Sequence, residues 1–173
     1  RYIIAAAEDT NNTSYFVLGI SDDGDPNGTW HTYRWTASSC GFLDFPDLGV
    51  DDQAIYISGD CFSGGGNDVY VVDKSSILSG GSIVTKKVDM SGSLLSLGCM
   101  KDYDAGTNVQ YFASTWDVNS SQISIHAINV PLGSANKSRH VLAVSSYSSP
   151  PNADQKGTSN KADTIDNRIK HGV

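Results

Sequence analysis

An all-β fold, arranged as about three blades of a β-propeller, is predicted by three observations. Short apolar runs alternate with clusters of turn formers, and charged residues make up only 18% of the chain against about 25% in ordinary soluble domains. The runs also recur at a spacing of roughly 50 to 55 residues, the kind of period that marks repeat architectures. Val17, Tyr70 and Ile125 occupy equivalent positions, as do Ile4, Tyr56 and Tyr111. Periods of this order with three or four strands per unit belong to propeller blades, whose small sheets cover their faces against one another. Tandem sandwiches would need about 100 residues per unit.

The first group of strands is expected at Arg1–Ala7, Tyr15–Ile20 and Trp30–Trp35. Between the last two, every residue favours a turn. Pro26 presets φ for the second position of a β-turn, Asp25 can bond the backbone ahead of it, and Gly28 can leave with φ > 0. Thr36–Asp52 reads as an ordered, partly buried crossing, weighted by Phe42, Phe45, Leu48 and Val50 and cornered at Pro46 and Gly49. The second group is Ala54–Gly59, Asp68–Asp73 and Ile83–Val88, with a glycine turn at Ser63–Asn67. A helical turn over Lys74–Leu78 is ended by Gly80-Gly81. The third group is Val109–Thr115, Gln122–Val130 and His140–Val144.

The expected blades are therefore 1–50, 51–105 and 106–163, with another beginning at 164–173. Propellers close with at least about four blades. These residues are thus expected to be a section of a larger ring, or to close one by self-association, because an open end leaves apolar faces in water. The chain opens without Met and inside a strand, as processing or truncation would leave it.

A net charge of −7, with 12 scattered Lys and Arg, argues against nucleic acid as a partner. No run approaches about 18 apolar residues, so no membrane insertion is expected. Cys40, Cys61 and Cys99 lack metal-type spacing. A single disulfide such as Cys40–Cys61 would leave one thiol over, and buried free thiols are the other reading. Asn11, Asn12, Asn27, Asn119 and Asn136 each begin an Asn-x-Ser/Thr glycosylation signal, which points outside the cell if the source is eukaryotic.

The sharpest site is a calcium loop. Asp23, Asp25 and Asn27, followed by Gly28, match the opening of oxygen-ligand loops, which gather side-chain oxygens on one side of a tight bend. The closing carboxylate is missing, since His31 and Arg34 stand where later ligands would. The competing reading is a β-turn in which Asp and Asn bond the backbone. Asp44, Asp47, Asp51 and Asp52 read as a solvated face and turn caps.

No catalytic constellation emerges. Glycoside hydrolysis needs two carboxylates about 5 to 9.5 Å apart, and Asp60, Asp73, Asp104 and Asp117 stand at strand ends without a companion motif. His31, His126, His140 and His171 are scattered, and there is no Gly-x-Ser-x-Gly elbow. The aromatics Trp30, Trp35, Trp116, Tyr33, Tyr103, Tyr111 and Tyr147 offer either sugar-stacking platforms or core between blades.

Three segments carry a resemblance: Asp25-Pro-Asn-Gly-Thr-Trp30 with Tyr33, Phe45-Pro-Asp-Leu-Gly-Val50 before Ala54-Ile-Tyr-Ile57, and Val69-Tyr-Val-Val-Asp73. Together they resemble secreted β-propeller proteins of the sialidase-like kind over most of the chain. Ser21–Trp30 is similar to the Asp-box of sialidases, a blade-folding element, but is two residues longer. A sialidase needs several arginines converging on a carboxylate, and this chain has Arg1, Arg34, Arg139 and Arg168. The resemblance and the residues together lead to the expectation of an extracellular module for binding, adhesion or assembly, non-catalytic in these residues, with a carbohydrate or protein ligand. The alternatives are a sialidase-like glycoside hydrolase with catalytic groups outside these residues, and a structural surface or filament protein.

Overall fold

The computed structural model describes residues 1–37, 39–64, 68–90, 96–103, 106, 108–115, 118–129, 136–164 and 169. Of the turn expected at Ser63–Asn67, residues 65–67 lie outside the described residues, while Ser63 and Gly64 belong to a strand; the candidates Asp104, Trp116, Asp117, Arg168 and His171, and most of the fourth group at 164–173, also lie outside them.

Among the described residues the fold is all-β, in three consecutive antiparallel sheets followed by a short hairpin. The first sheet is β1 (Ile3–Thr10), β2 (Thr13–Ser21) and β3 (Trp30–Thr36), in that order. Asn11 and Asn12, at φ 52 and 61, make the two-residue turn between β1 and β2. Both central residues of such a hairpin turn need positive φ, which Asn tolerates best after Gly. Along β2 the alternation is strict: Phe16, Leu18 and Ile20 are buried, while Tyr15, Val17 and Gly19 face the other way.

The second sheet is β4 (Cys40–Val50), β5 (Ala54–Gly64), β6 (Asp68–Asp73) and β7 (Thr85–Asp89). The one-turn helix α1 (Lys74–Ile77) follows β6. Its N-cap Asp73 accepts from Ser75 N at 2.9 Å. The third sheet is β8 (Gly98–Cys99), β9 (Val109–Ser114), β10 (Gln122–Asn129) and β11 (Asn136–Ala143). A hairpin of β12 (Ala153–Asp154) and β13 (Lys161–Ala162) is the last pair of described strands, largely exposed and bridged by a 2.6 Å Lys161–Asp154 ion pair.

β5 and β6 explain the stacking. Their residues are apolar on both faces, as strands covered on both sides require. Ile55, Ile57, Tyr70 and Val72 share a core with Phe16, Leu18 and Ile20 of the first sheet. Ala54, Tyr56, Val69 and Val71 share another with Cys99, Phe112 and Ile128 of the third. Each fully buried side chain of this size contributes about 1.5–3 kcal/mol relative to exposure, so the middle sheet is held from both sides. Strand β4 approaches β1, β2 and β8, whereas β3, β7 and β11 make no comparable approach to one another. The described strands close neither a barrel nor a ring, and none of the described helices is long and apolar enough to cross a membrane.

Several expectations differ from the structure: β5 runs on to Gly64 past the expected end at Gly59, paired along β4, and β7 is Thr85–Asp89 instead of Ile83–Val88. The crossing at Thr36–Asp52 is largely a strand, because β4 accommodates Pro46 by a bulge: from Asp44↔Asp60 to Asp47↔Ser58 the β4 side advances one residue more than the β5 side. The second and third sheets consequently open at Cys40 and Gly98, earlier than the group boundaries at 51 and 106. Strand β11 begins at Asn136, four residues before the expected His140, since its polar start pairs with Ala127–Asn129 of β10.

Candidate functional site

The Ser21–Trp30 loop forms the expected turn, although Gly28 leaves it without the positive φ expected there. Gly28 N donates to Asp25 O at 3.1 Å, closing a turn with Pro26 at its second position. Asp25 N donates to Asp23 Oδ1 at 2.7 Å and Asn27 N to Asp25 Oδ1 at 2.9 Å, so both carboxylates cap backbone. Trp30 Nε1 donates to Pro26 O at 3.0 Å and holds the loop over its own strand. Asp22 differs: its Oδ1 is buried without a hydrogen-bond partner. A Cβ at Gly28 would stand 3.4 Å from that atom and 3.6 Å from Asp23 Oδ1. Glycine thus leaves both oxygens room beside the turn. Among the described residues no three His, Cys, Asp or Glu side chains gather where they could hold a metal.

Cys40 and Cys61 are disulfide-bonded across β4 and β5, beside the bulge, and Cys99 is a buried free thiol whose pKa burial pushes well up. Such a bond fits an oxidising compartment. Asn11, Asn12, Asn27, Asn119 and Asn136 are all exposed.

The described arginines stand apart. Arg1 donates to Ser21 O and Leu78 O. Arg34 grips Glu8 with two nitrogens at 2.9 and 3.0 Å and lies 3.4 Å over the Tyr15 ring, on the outer face of the first sheet. Arg139 lies on β11. Of the aromatics, Trp35 is core, stacked on Phe16 at 5.8 Å and tilted on Tyr70 at 6.0 Å. Tyr33 packs against the same cluster, Tyr147 donates to Gln122 O at 2.6 Å, and Tyr103 is exposed.

One pocket forms where the second and third sheets meet. It holds about 260 Å3 and is lined by Phe45, Pro46 and Asp47 of β4, by Ser96–Gly98 at the entry to β8, and by Ile169. Asp47 ties the two strands together, accepting from Leu48 N at 2.8 Å and from Cys99 N at 2.7 Å. Asp60, a strand-end candidate from the sequence, is 1% exposed beneath Ser96 and accepts from both its N–H and its hydroxyl, the latter at 2.9 Å. Sequence spacing pointed to neither Phe45 nor Ser96 as site residues, because they meet only when the sheets stack. No protein-family model, curated protein or solved structure matches this chain.

Proposed function

We propose that the chain is a section of a β-propeller serving outside the cell as a non-catalytic module for binding, adhesion or assembly. One observation carries this reading. The second sheet is covered on one face by the sheet before it and on the other by the sheet after it, while β4 lies against β1 and β8. Small meanders stacked in chain order around converging inner strands are the build of neighbouring blades.

The far side of the third sheet supports further stacking. Tyr111, Ala113, Ile123, Ile125, Ala127 and Leu142 share that side by register, and a fourth sheet, from the same protein or a second copy, would take it out of water. The Cys40–Cys61 bond supports the extracellular placement. The separation of Arg1, Arg34 and Arg139 favours the binding module over the sialidase-like hydrolase, whose carboxylate substrate needs arginines together. Immobilised protein screened against glycans and extracellular proteins, and assayed in parallel on fluorogenic glycosides, tests this reading. Binding without turnover is expected, and turnover that tracks this chain would move it to the hydrolases.

Calcium in the 22–28 loop is a second reading, supported by the buried, unpartnered Asp22 Oδ1 beside Asp23. Its donors are all oxygen, as a hard cation prefers.

A further inference from the structure

The pocket between β4 and the entry to β8 carries marks of a prepared site. Two of its lining residues have left-handed backbone without being glycine, Phe45 at φ 48 and Ser96 at φ 54. A bulky residue there is a genuine outlier. Such strain persists only where the surroundings impose it, and it concentrates at ligand sites. Here the surroundings do impose it. The bulge in β4 turns the chain at Phe45, and buried Asp60 fixes Ser96 through both its N–H and its hydroxyl.

From the chemistry of these walls we infer that the pocket binds a neutral, hydroxylated six-membered ring such as a pyranose, a site that rests on the binding-module reading above. Ser96 gives its hydroxyl proton to Asp60 Oδ2 at 2.9 Å, so lone pairs are what it offers a ligand. The Asp47 carboxylate also offers acceptors only. Phe45, Pro46, Leu97 and Ile169 supply an apolar wall, suited to the C–H face of a sugar ring. A fitting ligand therefore brings hydroxyl donors on the rim of an apolar body. None of the described lining residues carries the positive charge that an anionic sugar would call for. At about 260 Å3 the space falls below the roughly 300–1,000 Å3 of drug-sized sites, which suits one ring rather than a chain of them.

The test is saturation-transfer NMR on the whole chain with methyl pyranosides and glucuronate as probes. Pyranosides are expected to bind with transferred contacts to the Leu97 methyls, and glucuronate to bind at least about tenfold more weakly. Phe45→Gly relieves the left-handed φ, so its melting temperature is expected to match or exceed that of the wild type, while pyranoside affinity falls about tenfold as the ring is lost. Pyranosides that leave Leu97 untouched, glucuronate that binds as tightly, or a folded Phe45→Gly that binds as the wild type does would each overturn the inference. If Phe45→Gly does not fold, the Leu97 contacts on the unaltered protein decide. Capture of a glycan by wild type and folded Phe45→Gly alike would remove this pocket and leave the binding-module reading standing.

Discussion

The Tyr56 hydroxyl donates to Asp51 Oδ2 at 2.6 Å, and that bond ties a ring buried between the second and third sheets to the turn that starts β5. Asp51 Oδ1 accepts from Gln53 N at 2.8 Å and Ala54 N at 2.7 Å, so one carboxylate organises both turn and core. Tyr56→Phe keeps the ring and deletes the bond. It should lower the unfolding free energy by about 1.5–3 kcal/mol, the range for hydrogen bonds to charged groups, measured by urea denaturation.

The same residue predicts an alkaline limit. Burial first, then the hydrogen bond to Asp51, hold the Tyr56 phenol far above its ordinary pKa. The unfolded chain therefore ionises first, near pH 10. The stability this group contributes is complete below about pH 10 and is lost as pH rises from there toward the folded value. The melting temperature of the wild type should fall above that pH more steeply than that of Tyr56→Phe, and equal slopes would remove Tyr56 as the cause.

The disulfide joins residues 21 apart in sequence. In the loop-entropy account, breaking it should lower stability by about 3 kcal/mol, read from denaturant curves with and without reductant. Cys99 is 2% exposed, and burial raises its thiol pKa. A thiol reagent should leave the folded oxidised protein unlabelled and modify one thiol once it is unfolded.

Gly80 sits at φ 74, and a Cβ there would lie 2.6 Å from His31 Cε1. Gly80→Ala should cost about 1–2 kcal/mol from the left-handed backbone alone, and more from the ring contact between α1's exit and β3. Gly106 has φ 86 with nothing within 4 Å of its Cβ position. Gly106→Ala should therefore show only the backbone part, and the difference between the two variants in thermal melting isolates the His31 contact.

For the 22–28 loop the expected outcome is a melting temperature that rises with added calcium and returns with chelator, as binding to the folded state alone requires. Asp22→Asn should abolish that response. A midpoint indifferent to calcium would leave the loop as the backbone-capped turn that Asp23 and Asp25 already form.

How far the residues declared the fold follows from what each strand packs against. Alternation exposed β2, and continuous apolar runs exposed β5 and β6, because side-chain burial there follows chain periodicity. Strand β4 was hidden by Pro46 and Gly49, which read as corners until the bulge and the pairing with β5 are known. The polar start of β11 has no pattern of its own and is extended through its pairing with β10. The Asp25–Gly28 turn was legible because its chemistry is local. The pocket was not, since Phe45 and Ser96 approach through sheet stacking and their left-handed backbones leave no compositional trace.

One sheet is covered on opposite faces by its two neighbours in sequence. Ring-to-ring NOEs test it most directly, since Tyr56 lies 6.4 Å from Phe112 and Tyr70 lies 5.2 Å from Phe16, measured between centroids. Cross-peaks from Tyr56 to Phe112 of the third sheet and from Tyr70 to Phe16 of the first are the predicted result. Cross-peaks placing both tyrosines against the same sheet would reduce the stack to a two-layer sandwich and contradict it.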